Sequence, residues 1–338
     1  MMKVRSTLAA LALIGALPQS GMANDTEAAV GLGGLLFERN DQIAMENEDL
    51  YLSAERVRVR YQYRNTGTKP VTILVAFPLP DVPLEGREFS SGFPEWEQQG
   101  MKTLVDGKPV QLMRIDIPKI NGKDISARLK ALGWPVRYWE EEGFLQRLQA
   151  LSADDKSEYF GEGLVTTEGM EGEELRPAWS VSTNYVRTQT FPPGVPVTVE
   201  HSYMPMTGGS VASALDRATR EDSMGGPHGY EAQYCVDQPF LRGYDRRRYT
   251  PDGGLIETVM PIETTLGYVL KTGANWKGPI RRFKLTVDKG NPQTLVSLCM
   301  DGLVKVSSTR FEVVKTDFEP VHDIDVLFVE LVPAEGGR

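Results

Sequence analysis

Apolar and polar residues alternate strictly from Val57 to Arg64. Val57, Val59, Tyr61 and Tyr63 fall on one side, and Arg58, Arg60, Gln62 and Arg64 on the other. Period two over this length predicts a half-buried strand. A turn over Asn65–Pro70 leads into Val71–Phe77, a β-branched and nearly continuous apolar run suited to a central strand. Pro78, Pro80 and Pro83 end it, because proline donates nothing to a ladder. The two strands read as a hairpin. A second hairpin is expected from Met101 to Ile117, turning at Asp106-Gly107.

The period then changes. Ile125, Leu129 and Leu132 recur at helical spacing, with Asp124 as a candidate N-cap and Gly133 as a stop. Phe144, Leu145, Leu148 and Leu151 predict a second short helix. Residues 152–177, acidic and glycine-rich, read as a surface segment. Strand pattern returns at Trp179–Gln189 and Val195–Met204, on either side of Phe191-Pro192-Pro193-Gly194. Residues 205–229 have the composition of a linker with a short helix inside. Beyond it, strands are expected at 231–236, 255–262, 267–270, 283–287, 295–299, 311–315 and 326–331. Short strands at this spacing suggest a sandwich. The fold expected is therefore all-β (mainly β), with two β-sandwich-like domains. The first covers residues 24–204, with a helical insertion at about 118–178, and the second covers 230–338.

Composition adds a compartment. Met1–Ala23 reads as a signal peptide: Lys3 and Arg5 form the charged start, Leu8–Leu17 the apolar stretch, and Gly21-Met22-Ala23 the cleavage site. The expected location is the bacterial periplasm, after cleavage behind Ala23. The chain carries 46 acidic and 37 basic side chains, a net charge of -9. An acidic chain without a basic block argues against nucleic acid and against docking on an anionic membrane. No later stretch is apolar enough to span a bilayer as a helix. The two cysteines, Cys235 and Cys299, would pair in an oxidising compartment, each in or beside a strand. A loop of that length would contribute ~4 kcal/mol through closure entropy. Two buried free thiols, or a redox pair, are the other readings.

Two stretches resemble the vault/inter-alpha-trypsin type of β-domain: YQYRNTGTKPVTILVAFPLPDV, residues 61–82, and TFPPGVPVTVEHSY, residues 190–203. That family's metal-dependent adhesion site is not implied, since no D-x-S-x-S occurs in the sequence. As a whole the chain resembles a family of uncharacterised secreted bacterial proteins catalogued as a domain of unknown function. NDTEAAVGLGGLLF at the expected mature start, IAMENEDLYLSAERVRVRYQYRN, YVLKTGANWKGPIRRFKLTVDKG and LVSLCMDGLVKVSSTRFEVVKTDFEP carry that likeness. It implies a periplasmic setting and lends no site residues.

Candidate chemistry is sparse. His201, His228 and His322 offer no H-x-H or H-E-x-x-H spacing, and no C-x-x-C accompanies them. His201 reads as a strand residue. His322 lies beside Asp323 and Asp325, a pattern that can orient a base but is more often a turn. No G-x-S-x-G nucleophile elbow occurs. The glycines of GLGGLLF follow no strand that would make them a phosphate loop. The acidic run Glu168–Glu174 reads as a solvated loop or a weak Ca²⁺ site. Arg246, Arg247 and Arg248, between Tyr244 and Tyr249, form the densest basic cluster. They suit an anion site or an exposed hairpin tip. Trp276, flanked by Asn275 and Lys277, suits a sugar platform, a partner anchor or a core plug. Arg58, Arg60 and Arg64 suit an anion site or an ordinary solvated strand face. No cofactor, metal or catalytic residue is expected. The expected function is a non-catalytic binding or interaction protein of the cell envelope, its partner an envelope protein or a glycan. A hydrolase working through loop carboxylates is the alternative.

Overall fold

In the computed structural model the described residues are 26–31, 34–79, 100–168, 174–210, 214–225 and 229–334. Two short strands, β1 (Thr26–Gly31) and β2 (Gly34–Glu38), pair antiparallel. Three long ones follow: β3 (Ile43–Leu52), β4 (Val57–Asn65) and β5 (Val71–Pro78). The alternation in β4 is realised: Val57, Val59, Tyr61 and Tyr63 are buried, and Arg58 and Arg60 are exposed. β6 (Lys102–Val105) and β7 (Lys108–Pro109) form a tight hairpin. Its turn residues, Asp106 and Gly107, have φ of 47° and 76°, as a type I′ turn needs. β8 (Met113–Ile120) pairs with the short β9 (Lys123–Asp124).

The helical insertion holds α1 (Ser126–Leu132), closed by Gly133 at φ 65°, α2 (Phe144–Gln149) and α3 (Ala153–Gly161). A small hairpin of β10 (Val165–Glu168) and β11 (Glu174–Pro177) completes it. Then come β12 (Ser180–Phe191), β13 (Pro196–Tyr203) and β14 (Gly208–Ser210). Three helices follow, α4 (Arg220–Met224), α5 (Tyr230–Tyr234) and α6 (Gln238–Arg248). The last strands are β15 (Val259–Tyr268), β16 (Ile280–Asp288), β17 (Leu295–Leu298), β18 (Val304–Lys305), β19 (Arg310–Phe318) and β20 (Ile324–Pro333).

The fold is mostly β, as its patterning predicts. An eight-stranded sheet runs in the order β18-β19-β16-β3-β4-β13-β6-β7. A six-stranded sheet, β2-β1-β5-β12-β8-β9, and a four-stranded sheet, β14-β15-β20-β17, accompany it. One core cluster joins all three. Phe77 and Phe191 of the six-stranded sheet meet Tyr203 and Tyr63 of the eight-stranded one, at ring-centroid separations of 5.9 and 5.8 Å. Tyr268 of the four-stranded sheet shares a hydrogen bond with Tyr61 at 3.0 Å. The two smaller sheets therefore lie on the same face of the large one.

Several expectations change. β4 and β5 are both strands but do not pair; the chain arches from the eight-stranded sheet into the six-stranded one. Asn65 holds the arch by donating from its side-chain amide to the carbonyls of Lys69 and Phe191, each at 2.8 Å. The arch lets both strands face one core. β8 likewise leaves its expected hairpin to pair with β12. The two halves are not separately cored sandwiches. β16 pairs in parallel with β3, so the large sheet crosses the expected linker at 205–229. Without β16, β3 would present a long unpaired edge.

Within the stretch 231–236, residues 231–234 are helical rather than extended, because Tyr230 and Tyr234 sit one turn apart and turn together toward the four-stranded sheet. The acidic segment 152–177 contains α3, started by Ser152, whose hydroxyl accepts from the Asp155 N–H. The strands expected at 255–262 and 267–270 are largely one strand, β15.

Candidate functional site

The residues singled out from sequence are mostly consumed by structure. Trp276 is fully buried against Tyr63, at 4.8 Å between ring centroids, and Phe191. It offers no face to a sugar or a partner. Tyr244, Arg246, Arg247 and Arg248 lie on the last turns of α6, not on a hairpin tip; Asp237 caps that helix by accepting from the Phe240 N–H. Arg248 grips Asp216 through Nε and Nη2, at 3.0 and 3.1 Å, and also donates to the carbonyl of Val259. The Tyr244 hydroxyl, itself buried, donates to Asp216 at 2.7 Å. Arg247 donates to the carbonyl of Gln293, and Arg246 is exposed. Asp245 pairs with Arg217 and Arg220. Of the basic cluster, Arg248 is thus held in an ion pair with Asp216 and Arg247 on a backbone carbonyl, while Arg246 is exposed.

Burial works to raise the Asp216 carboxyl, but hydrogen bonds from Arg248 and Tyr244, with the guanidinium charge, outweigh it and hold the carboxyl below its ordinary range. A lowered carboxyl stabilises the fold above its unfolded pKa, and that contribution is lost as pH falls through the folded value. Asp216→Asn is therefore expected to cost on the order of 2 kcal/mol at neutral pH. It should also flatten the acid limb of melting temperature against pH below about pH 4. An unchanged acid limb would remove Asp216 as a determinant.

Cys235 and Cys299 form a disulfide across 64 residues. Cys235 closes α5 rather than lying in a strand, and Cys299 follows β17. His201 is buried in β13, sharing a 2.7 Å hydrogen bond with Thr103. His322 is exposed. Asp323 accepts from the N–H groups of Leu270 and Lys271 and pairs with the Lys271 ammonium. Asp325 is raised by burial and by the charge of Asp323. His228, the expected leader, and most of the Glu168–Glu174 run lie outside the described residues. Among the described residues no group of His, Cys, Asp and Glu is arranged to hold a metal.

What remains is the far face of the eight-stranded sheet. Among the described residues no element packs against it. Strand register lays three transverse rows there. The first runs Thr286, Tyr51, Arg58, Ser202 and Lys102 across β16, β3, β4, β13 and β6. The second runs Lys284, Asp49, Arg60, Glu200 and Leu104, and the third Arg282, Asn47, Gln62 and Thr198. A groove of about 440 Å³ lies along the first two rows. Arg60 pairs with Glu200 at 3.4 Å and Lys284 with Glu312 at 3.0 Å. Asn47 donates to Gln62 at 2.5 Å. The guanidinium of Arg58 sits over the Tyr51 ring, 4.5 Å from its centroid, and the Tyr51 hydroxyl donates to Asp288 at 3.2 Å. Among the described residues neither Arg58 nor Lys102 has a carboxylate within ion-pair distance.

The arginine row of β4 was visible as a polar face. Of the strands that flank it, β13 was legible but not its pairing with β4, and β3 was not read as a strand, so Tyr51, Ser202 and Lys102 could not be placed beside it. The alternation Asp49-Leu50-Tyr51-Leu52 was the available signal for Tyr51.

A mostly β protein with one large sheet, packed on one face and, among the described residues, uncovered on the other, is the class that fold and site define. The chain belongs to the family described as Domain of unknown function (DUF4424), which matches residues 23–327. No curated protein matches it. Among solved structures it is similar to a candidate nutrient-binding protein of Legionella pneumophila, at 15% identity and a TM-score of 0.43, over 91% of this chain and 71% of that one. It is also similar to a two-domain M1 zinc metallopeptidase, solved as a mutant bound to L-tryptophan, at 8% identity and a TM-score of 0.23, over 86% of this chain and 44% of that one. Neither likeness is close enough to carry a functional argument.

Proposed function

We propose that the chain is a non-catalytic binding protein of the bacterial periplasm that holds a protein partner of the cell envelope on the open face of its eight-stranded sheet. One observation carries this reading: the far face presents three ordered polar rows across its strands, with no described element packed on them. A sheet that serves only as a scaffold needs one buried face and no groove on the other. Ion pairs such as Arg60–Glu200 and Lys284–Glu312 hold the side chains of the face in place, which reduces the entropy lost on docking. The reading of Met1–Ala23 as an export signal supports a partner outside the cytoplasm. A glycan is the weaker alternative, because the aromatic residue best suited to stack on one, Trp276, is buried.

The test is a photo-crosslinking residue carried in the cell by the full exported chain. Placed at Gln62 on the open face, it should give one or two stoichiometric envelope adducts. Placed at Lys130 on α1, it should give none of them. Identical adducts from both positions, or none from position 62, would remove the open face as the interface.

A further inference from the structure

We infer that the open face recognises an acidic segment of a polypeptide, with a carboxylate seated between Arg58 and Lys102. This rests on the reading that the face holds a partner, and it names that partner's chemistry. Arg58 of β4 and Lys102 of β6 are both exposed and flank Ser202 of β13 in one transverse row. Their backbones are two strand spacings apart, about 10 Å. Side chains of this length converge easily over the small serine between them. The Ser202 hydroxyl adds a donor at the midpoint of the seat.

Within the first two rows these two cations are the available ones. In the next row Arg60 is committed to Glu200, and Lys284 to Glu312. Arg58 is instead supported from below by the Tyr51 ring, which Asp288 fixes through the phenol. That support orients the guanidinium without neutralising it. A local positive seat on a chain of net charge -9 is the complement of a carboxylate.

Three other occupants fit less well. A neutral sugar needs a free aromatic face, and Arg58 covers that of Tyr51. A continuous polyanion or an anionic bilayer would also have to lie over Asp49 and Glu200, one row away at about 7 Å. Asp49 is exposed, so that contact is repulsive. A polypeptide can place an acidic residue over the first row and a neutral or basic one over the second.

The test starts from the full chain, immobilised and used to select short peptides from a display library. The selected peptides should share one or two carboxylates, and their binding should weaken as salt rises. The double variant Arg58→Glu/Lys102→Glu should bind them at least about tenfold more weakly, equivalent to about 1.4 kcal/mol. Selected afresh, that variant should favour basic peptides. Both positions are exposed, so its melting temperature should match that of the parent; Arg58→Gln/Lys102→Gln gives a milder version of the same loss. Lys130→Glu should change nothing.

Selection of apolar or basic peptides by the parent would overturn the inference, as would undiminished binding by the double variant. So would preferential binding of a sulfated polysaccharide or of anionic vesicles. The position-62 crosslink separates the two levels. If it persists in the double variant, the interface stands and the carboxylate seat falls. If the parent never forms it, the interface reading itself fails.

Discussion

Trp276→Ala is expected to lower the melting temperature by on the order of 10 °C, from a loss of about 3–5 kcal/mol. The residue follows a short 3-10 turn, Lys271–Asn275, in the loop that leads from β15 to β16. Its ring is fully buried, 4.8 Å from Tyr63 and 6.3 Å from Phe191 between centroids. Backbone hydrogen bonds fix the loop on both sides: Asn40 N–H donates to the Asn275 carbonyl at 2.7 Å, and Lys277 N–H to the Ile43 carbonyl at 2.8 Å. Alanine would leave a cavity that this pinned loop cannot collapse into. The aromatic contacts are also one of the places where the C-terminal half of the chain enters the core of the N-terminal half, so their loss should weaken both. Trp276→Phe should cost less, because a ring is kept between Tyr63 and Phe191. Thermal melts of the three chains settle the matter. An alanine variant that melts with the parent would mean that the ring does not plug the core.

The strands were legible in the sequence to the extent that one face of each had to be apolar. β4, β12, β13, β16, β19 and β20 all follow from local alternation or β-branched runs, because burial of one face writes itself into the residues. Pairing does not. Whether β4 turns back beside β5 or arches over to face it depends on the side chain of Asn65 reaching Phe191, 126 positions away in the chain. The parallel contact of β3 with β16 leaves no local signature either, since both would look the same as edge strands. Short amphipathic segments were ambiguous for the reason that two tyrosines four apart satisfy a strand or a helix. The α6 segment could have been recognised from Asp237 and Pro239, an N-cap and a first-turn proline.

The same gap between local and distant information decides the site. In the dense cluster Arg246–Arg248 the fold neutralises Arg248, because it brings Asp216 to it from 32 positions away. The open row is assembled from single residues on separate strands, and no window of the sequence contains it.

Cys235→Ser is expected to destabilise the oxidised protein by about 2–4 kcal/mol. The bond spans 64 residues, a stretch that includes α6, β15 and β16, so its removal frees a long loop in the unfolded chain. It also releases the C-terminal end of α5, which Cys235 closes. Hydrogen bonds and the packing of its tyrosines remain to hold that helix. The Tyr230 hydroxyl donates to Glu263 at 2.6 Å, and the Ser297 hydroxyl to the Tyr234 carbonyl at 2.8 Å. Hydrogen exchange should therefore rise first over 230–236, ahead of the large sheet. The surviving contacts give the variant a pH signature. Burial, then the hydrogen bond and charge of Glu263, push the Tyr230 phenol well above its ordinary value. Burial, then the charge of Asp325, push Tyr234 up to about 12. A raised phenol stabilises the fold below its unfolded pKa, about 10, and that contribution is lost as pH rises through the folded value. With the covalent link gone, α5 should detach on alkaline titration above about pH 10 before the sheets unfold, whereas in the parent the two events should stay coupled. The parent in reducing buffer should reproduce the variant, because both lack the same bond. A variant that melts with the oxidised parent would mean that α5 is held by its tyrosines alone, and that the disulfide adds nothing to the equilibrium.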